Sequence, residues 1–376
     1  MSPRVAIAGA SGNLGPAVLK ALLSAGFEVT VLTRAGSHNK DNFGRAQVVP
    51  VDYSSLESLT SALSGHDVVV NTLGAISRDI HLRLVDAAVA AQVQRFIPSE
   101  FGSDTTNENA AKLQTRNCVL EVTFHNRHST TNLWNSDTLF GLTDIVRRLQ
   151  NDNETKAVVF KSDVPKYFLN HLDLQIEPFD PTVPSRMIEL LYNMTNLPQV
   201  TIAAVEGIAR GAGNEFLISL DIRFATKAHT LLGQPEVGMG LMPGGGGGQY
   251  LPRLIGRGRA MEFILSSKDV TAEDAEEMGW INRAFDTSAE MHAHIDNLVS
   301  RLVLFPLGSL GAAKQSINQA TRPPLEDLLM DAASFLERLA NPAVQTTIAR
   351  ALAATSNQSD SYGEQFLGEF IPTFYN

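Results

Sequence analysis

The chain has 376 residues, 44% hydrophobic and 19% charged, with a formal net charge of −10. That composition supports two or three globular domains at roughly 150 residues each. The acidic balance argues against a nucleic-acid face or an anionic membrane surface, which both select basic patches.

The single cysteine, Cys118, excludes an intrachain disulfide and suits a reducing, cytoplasmic setting. No basic-then-apolar leader opens the chain, and no apolar run approaches the ~18 residues of a membrane span. The tail Phe374-Tyr-Asn376 is not a peroxisomal address. No metal is expected.

In chain order, Val5–Ala8 predicts a short strand that ends in Gly9. The turn Gly9-Ala-Ser11-Gly12-Asn13-Leu14-Gly15 follows, and Val18, Leu19, Leu22 and Leu23 then recur at helical spacing. Strand, glycine turn and helix N-terminus together suit a pyrophosphate, because glycines admit it to the backbone and the helix end offers N–H donors. The spacing is G-x-x-G-x-x-G. Further strands are predicted at 28–33, 47–52, 67–72 and 95–99, with helical patterns between several of them. This is the pattern of a parallel, doubly wound sheet. The second strand ends in Thr33-Arg34, where an arginine suits a ribose 2′-phosphate and hence NADP(H), or is a solvated surface charge.

Residues 105–117 are polar, without a Gly/Pro linker signal. A second α/β pattern follows: strand 119–124, helix 137–149, strand 157–160, a polar loop Phe168-Leu-Asn-His171-Leu172-Asp173, and helix 185–194. Strand 200–205, a small-residue turn at 206–213, a helix carrying Glu215 and a strand at 222–225 come next, and the remainder reads as mostly helical. Glu236 lies 236 − 215 = 21 residues after Glu215 on a Gln-Pro-Glu corner, ahead of the run Gly244–Gly248. Two acids brought to a small-residue turn suit acid/base work on a substrate whose charge is held by backbone N–H groups. Blander readings exist: Glu215 as a helix N-terminal acid, Glu236 as a surface acid, His171 as a packed or exposed loop histidine, Asp173 as a cap, Arg210 facing solvent. The glycine run predicts a tight turn into a helix at Gln249.

Two resemblances follow from these motifs. Gly9 to Gly15, Thr33-Arg34 and Ser99-Glu-Phe-Gly-Ser-Asp104 resemble the NmrA-like, isoflavone-reductase-like group of atypical short-chain dehydrogenases over residues 1–113. The group's further strands, catalytic lysine and substrate domain have no counterpart here. The resemblance implies a truncated Rossmann-type domain with Gly9, Ser11, Gly12, Asn13, Leu14, Gly15 and Arg34 at an NADP(H) site. It would make the protein an NADP-dependent oxidoreductase or a non-catalytic NADP sensor.

Residues 117–376 resemble the crotonase superfamily, the enoyl-CoA hydratase/isomerase family. The matching motifs are Phe168–Asp173, Glu206-Gly207, Ala209–Glu215, Gly233-Gln-Pro-Glu236, Pro243–Gly248, Gly256–Ala260 and Asp274–Arg283. This resemblance implies a ββα-repeat domain with a helical C-terminal region and acyl-CoA as substrate, with no further cofactor. It implies an oxyanion hole from the N–H groups of Leu172 and Ala212, catalytic Glu215 and Glu236, and substrate contacts at His171, Asp173, Gly211 and Gly213. Hydration of a 2-enoyl-CoA is the sharpest expectation. Assembly as a homotrimer or hexamer is implied, using the helical tail from Pro306 onward.

Overall fold

The computed structural model describes residues 3–11, 15–34, 43–73, 78–97, 111–126, 129–175 and 179–375. They form two compact units that divide between residues 104 and 105.

The first unit runs β1 (Arg4–Ala8), α1 (Gly15–Ser24), β2 (Glu28–Arg34), β3 (Gln47–Val51), α2 (Leu56–Leu63), β4 (Val68–Asn71), α3 (Arg78–Ala90) and β5 (Arg95–Ile97). Its sheet has the order β3-β2-β1-β4-β5 and is parallel throughout. Alternate residues of β1 feed two cores. Val5 and Ile7 pack with Leu19 of α1, whereas Ala6 and Ala8 pack with Leu59, Leu63 and Leu84 of α2 and α3. The strand order reverses between β1 and β4, which opens a crevice at the C-terminal ends of those strands. Gly9 sits there with φ +86°, and a side chain on it would come within 2.6 Å of the Thr72 carbonyl carbon.

The second unit begins with β6 (Ala111–Arg116), β7 (Val119–Phe124) and α4 (Ser136–Leu149). Three β-β-α turns follow: β8 (Ala157–Ser162), β9 (Tyr167–Leu169) and α5 (Val183–Thr195); β10 (Val200–Val205), β11 (Ile208–Arg210) and α6 (Ala212–Ser219); β12 (Ile222–Thr226), β13 (Leu231–Gly233) and α7 (Gly247–Ile255). The first strand of each turn enters a six-stranded sheet, β15-β12-β10-β8-β7-β6. The second enters a four-stranded sheet, β14-β13-β11-β9. The rest comprises α8 (Arg257–Ser266), β14 (Val270–Thr271), α9 (Ala272–Met278), β15 (Arg283–Phe285), α10 (Ser288–Leu302), α11 (Leu307–Thr321), α12 (Leu325–Leu339), α13 (Pro342–Ala354), α14 (Tyr362–Gln365) and α15 (Leu367–Phe370). Phe216 of α6 anchors the core, meeting Phe124 and Phe160 edge-on at 5.4 and 5.1 Å.

The structure departs from the sequence reading in three places. The loop expected at 168–173 begins inside β9, and the turn expected at 206–213 contains β11. Both strands have three residues and are fully buried, so they show no alternation to detect. A boundary drawn after residue 113 cuts through β6. That strand pairs antiparallel with β7 along its whole length. The hairpin turn uses Asn117 and Cys118, both left-handed at φ +47° and +64°, as a two-residue hairpin of type I′ requires. No described helix is long and apolar enough to cross a membrane, and the described residues hold no cluster suited to a metal ion.

The hairpin sets the usable N-terminus of the second unit. Removing β6 bares the edge of β7, whose Val119, Val122 and Phe124 are buried. A fragment spanning 105–376 should melt roughly 5 °C or more above one spanning 117–376 and aggregate less, by calorimetry and light scattering. Equal melting would assign β6 no stabilising role.

Candidate active site

Gly211 closes β11 and opens α6 at φ +49°, ψ −126°, a conformation hostile to any side chain. A Cβ there would also lie 2.9 Å from both Glu236 Oε1 and His171 Cβ. This glycine thus brings Glu236 and His171 up to the mouth of α6. Glu215 lies in the first turn of the helix, with its N–H on the Gly211 carbonyl at 2.8 Å, and is 3% exposed. Its Oε1 accepts two backbone N–H groups, from Gly245 at 2.8 Å and Gly247 at 2.9 Å. The left-handed Gly246 between them, at φ +105°, turns both donors onto one oxygen. The five-glycine run is therefore a grip on Glu215 as well as the turn into α7.

Glu236 follows Pro235 and is 8% exposed. Its nearest side-chain donor is Gln234 Nε2, at 3.5 Å from Oε2. Gln234 is itself oriented by Asn214 Nδ2 at 2.6 Å, and Asn214 by Trp280 Nε1 at 3.0 Å. The two acids thus differ in environment. Burial pushes the Glu215 carboxyl up to about 7, against the two glycine N–H groups that favour its charge. Burial and then the Glu215 charge hold the Glu236 carboxyl well above the usual range.

Both acids line one cavity of about 60 Å³ together with His171, Leu172 and Ala212. Its remaining wall is mainly apolar, including Met187, Leu241 and Phe335. That volume exceeds the ~10–15 Å³ needed for one water. Neither the Leu172 nor the Ala212 amide has an acceptor among the described residues.

Four residues weighed from the sequence do not line this cavity. Gly211 leaves room for Glu236 and His171 but does not itself line the cavity. Gly213 is pressed on the Leu169 carbonyl, so its smallness serves the packing of α6 on β9. Asp173 accepts the Gln175 N–H at 2.9 Å and caps its own turn. Arg210, expected to face solvent, is 0% exposed. It forks onto Asp269 at 2.7 and 2.8 Å and donates to the Glu364 and Gln365 carbonyls. His171 is buried, with Nε2 on Glu364 Oε1 at 2.8 Å. Burial alone would lower its pKa, but the Glu364 carboxylate raises it overall; in turn His171 draws Glu364 down against the effect of burial. Asn214, Gln234, Trp280, Gln358 and Glu364 were not legible as site residues. Gln234, Asn214 and Trp280 lay inside matched motifs without being singled out, whereas Gln358 and Glu364 carried no signal.

In the first unit, Gly9 and Gly15 lie back to back, and a Cβ on Gly15 would come within 2.6 Å of the Ala10 backbone. Ser11 is exposed beside them, and Arg34 is exposed at the end of β2. Gly12, Asn13 and Leu14 lie outside the described residues.

The sequence model of the enoyl-CoA hydratase/isomerase family matches residues 114–349, and that of the NmrA-like family matches residues 1–117. The chain is 31% identical over 228 residues to a short-chain-enoyl-CoA hydratase of Clostridium acetobutylicum, covering 58% of this chain and 87% of that one. It is 30% identical over 268 residues to the mitochondrial methylglutaconyl-CoA hydratase of Rattus norvegicus, covering 66% and 83%. Among solved structures, an enoyl-CoA hydratase candidate from Streptomyces avermitilis aligns with a TM-score of 0.67 at 34% identity, over 72% of this chain and 99% of that one.

The raised Glu215 pKa links stability to pH. Between the ordinary carboxyl value of 4.5 and about 7, the folded chain holds a proton that the unfolded chain has lost. Stability therefore falls as pH rises through that window. Glu215→Gln removes this titration and keeps one oxygen for both glycine N–H groups. The variant should melt above the parent at pH 8, and the gap should close near pH 4. A gap independent of pH would show that Glu215 titrates alike in both states.

Proposed function

The chain belongs to the enoyl-CoA hydratase/isomerase family, the crotonase superfamily, and from that membership we propose that its cavity adds water to a 2-enoyl-CoA thioester. One observation carries this reading: two acids of unequal environment line one cavity with Leu172 and Ala212, whose N–H groups have no acceptor among the described residues. The thioester oxygen sits between the Leu172 and Ala212 amides, which stabilise the enolate-like charge. Glu215, with two N–H groups on its carboxylate, is the ionised partner and takes a proton from water. The water oxygen bonds to the β-carbon, and the β-carbon's π electrons move toward the thioester oxygen. Glu236, which has poorer donors and an acid beside it, keeps its proton at neutral pH and delivers it to the α-carbon. The pair then holds its one proton on Glu215, and exchange with Glu236 restores the start. CoA is part of the substrate, and family members need no cofactor. The relatives named as hydratases support addition of water over double-bond migration.

Both Glu215→Gln and Glu236→Gln should lower hydration about a hundredfold or more, followed by loss of enoyl-thioester absorbance and by product mass. The pH–rate profile should be bell-shaped. Its acid limb lies near pH 7, where Glu215 must ionise, and its alkaline limb lies higher, where Glu236 loses its proton. A full rate in either variant removes that residue from the mechanism. A product of unchanged mass with a shifted double bond makes the reaction an isomerisation.

A second reading concerns the first unit. The glycine turn at the β1/β4 crevice and the exposed Arg34 at the end of β2 fit an NADP(H) pyrophosphate and 2′-phosphate. We propose binding without reductase turnover. The exposed Ile317 and Met330 of the tail support a homotrimer or hexamer, and the free Cys118 supports a cytoplasmic setting. Calorimetry should find NADPH bound at least about tenfold more tightly than NADH, with Arg34→Ala equalising them. Binding of neither nucleotide would leave the first unit a structural element.

A further inference from the structure

Residues 356–358 form a rare backbone feature. Ser356, Asn357 and Gln358 are consecutive, none is glycine, and all are left-handed, at φ +50°, +57° and +60°. Each Cβ resists that conformation, so surrounding contacts must impose it. The turn delivers Gln358, 3% exposed, onto the loop that carries Leu172.

Its amide brackets that residue. Nε2 donates to the Leu172 carbonyl at 2.9 Å, and Oε1 accepts the Leu174 N–H at 2.9 Å. Nε2 also lies 3.0 Å from His171 Nδ1. Trp134 holds the other side of the same loop. Its N–H donates to the His171 carbonyl at 3.0 Å, and its carbonyl accepts the Asp173 N–H at 2.9 Å. The peptide groups on either side of Leu172 are therefore clamped, while the Leu172 N–H itself has no acceptor among the described residues. The turn is tied down in its own right, since Thr131 Oγ1 donates to the Gln358 carbonyl at 2.7 Å.

We propose that Gln358 is a positioning residue of the oxyanion hole, with the left-handed turn at 356–358 as its mount. This rests on the reading of Leu172 as an oxyanion donor. An oxyanion donor works only if it is aimed before charge develops, because a donor that must swing into place forfeits its preorganisation. A side chain from the C-terminal region, 186 residues away in sequence, sets that aim. The effect should therefore fall on turnover more than on binding.

Gln358→Met keeps the bulk and removes the hydrogen bonds. Gln358→Asn keeps the polarity and shortens the reach, so it serves if the first variant folds poorly. The probe is butyryl-CoA labelled with ¹³C at the carbonyl, which binds but has no double bond to hydrate. Infrared difference spectra of the bound probe report carbonyl polarisation. The parent should shift this band to lower frequency, and both variants should lose much of the shift. On a short 2-enoyl-CoA, kcat should fall about 10- to 100-fold with KM within about threefold. A purely structural role would reduce the folded fraction and leave the band of the bound probe where the parent has it. A folded variant with the parental band and kcat overturns the proposal. A parent that turns over thioester without shifting the band overturns the oxyanion role of Leu172 and this proposal with it. A parent that turns over no enoyl-CoA overturns the hydratase reading itself.

Discussion

Glu215 and Glu236 face one cavity at 3% and 8% exposure, where water no longer screens them from each other. Two carboxylates so placed cannot both ionise cheaply, so the surroundings decide which one carries the charge. Gly245 and Gly247 give Glu215 two N–H groups on one oxygen. Glu236 has its own backbone N–H and a long contact from Gln234 Nε2, the amide that Asn214 holds through its oxygen. The asymmetry is built from backbone, and backbone donors cannot rotate away or titrate. It also explains where side chains are forbidden. A Cβ on Gly245 would collide with the Glu215 carboxylate, and one on Gly211 would press on both Glu236 and His171.

Much of this was legible in the sequence because the chemistry is local. Glu215 sits four residues after the turn glycine, Glu236 sits in its Gln-Pro-Glu corner, and the glycine run stands out by composition. The first unit was legible for a related reason. Its strands are four or five residues or longer in most cases, so apolar runs and glycine breaks mark them. What escaped was short or distant. β9 and β11 have three buried residues each, too few to show a period. Arg210 looked like any charge in a polar turn, because its partner Asp269 lies 59 residues on and Glu364 lies 154 residues on. Asp173 and Gly213 matched family positions, yet the structure gives one a turn to cap and the other a carbonyl to accommodate. A motif names positions; only packing shows which of them face the cavity.

The distant partners have one property in common. The β9 strand and the loop after it are tied by polar groups to the C-terminal region: Tyr167 to Asp360 at 3.1 Å, Asn170 and His171 to Glu364 at 2.9 and 2.8 Å, and Leu172 and Leu174 to Gln358. An apolar contact could hold the two segments together as firmly, but it would tolerate sliding. Hydrogen bonds and a buried ion pair tolerate little, because each misplaced group is left unpaired at a cost of about 1–3 kcal/mol, more if charged. The buried His171–Glu364 pair is thus weak grounds for added stability and better grounds for fixed register. Arg210 extends the same logic to β11, since its guanidinium is spent on Asp269 and on the carbonyls of Glu364 and Gln365. The strands that lead to Leu172 and Ala212 are therefore both tied to the stretch 358–365 of the C-terminal region. The spacing of the two amides therefore depends on tertiary contacts with residues 358–365, far along the chain, and not on the local turns alone.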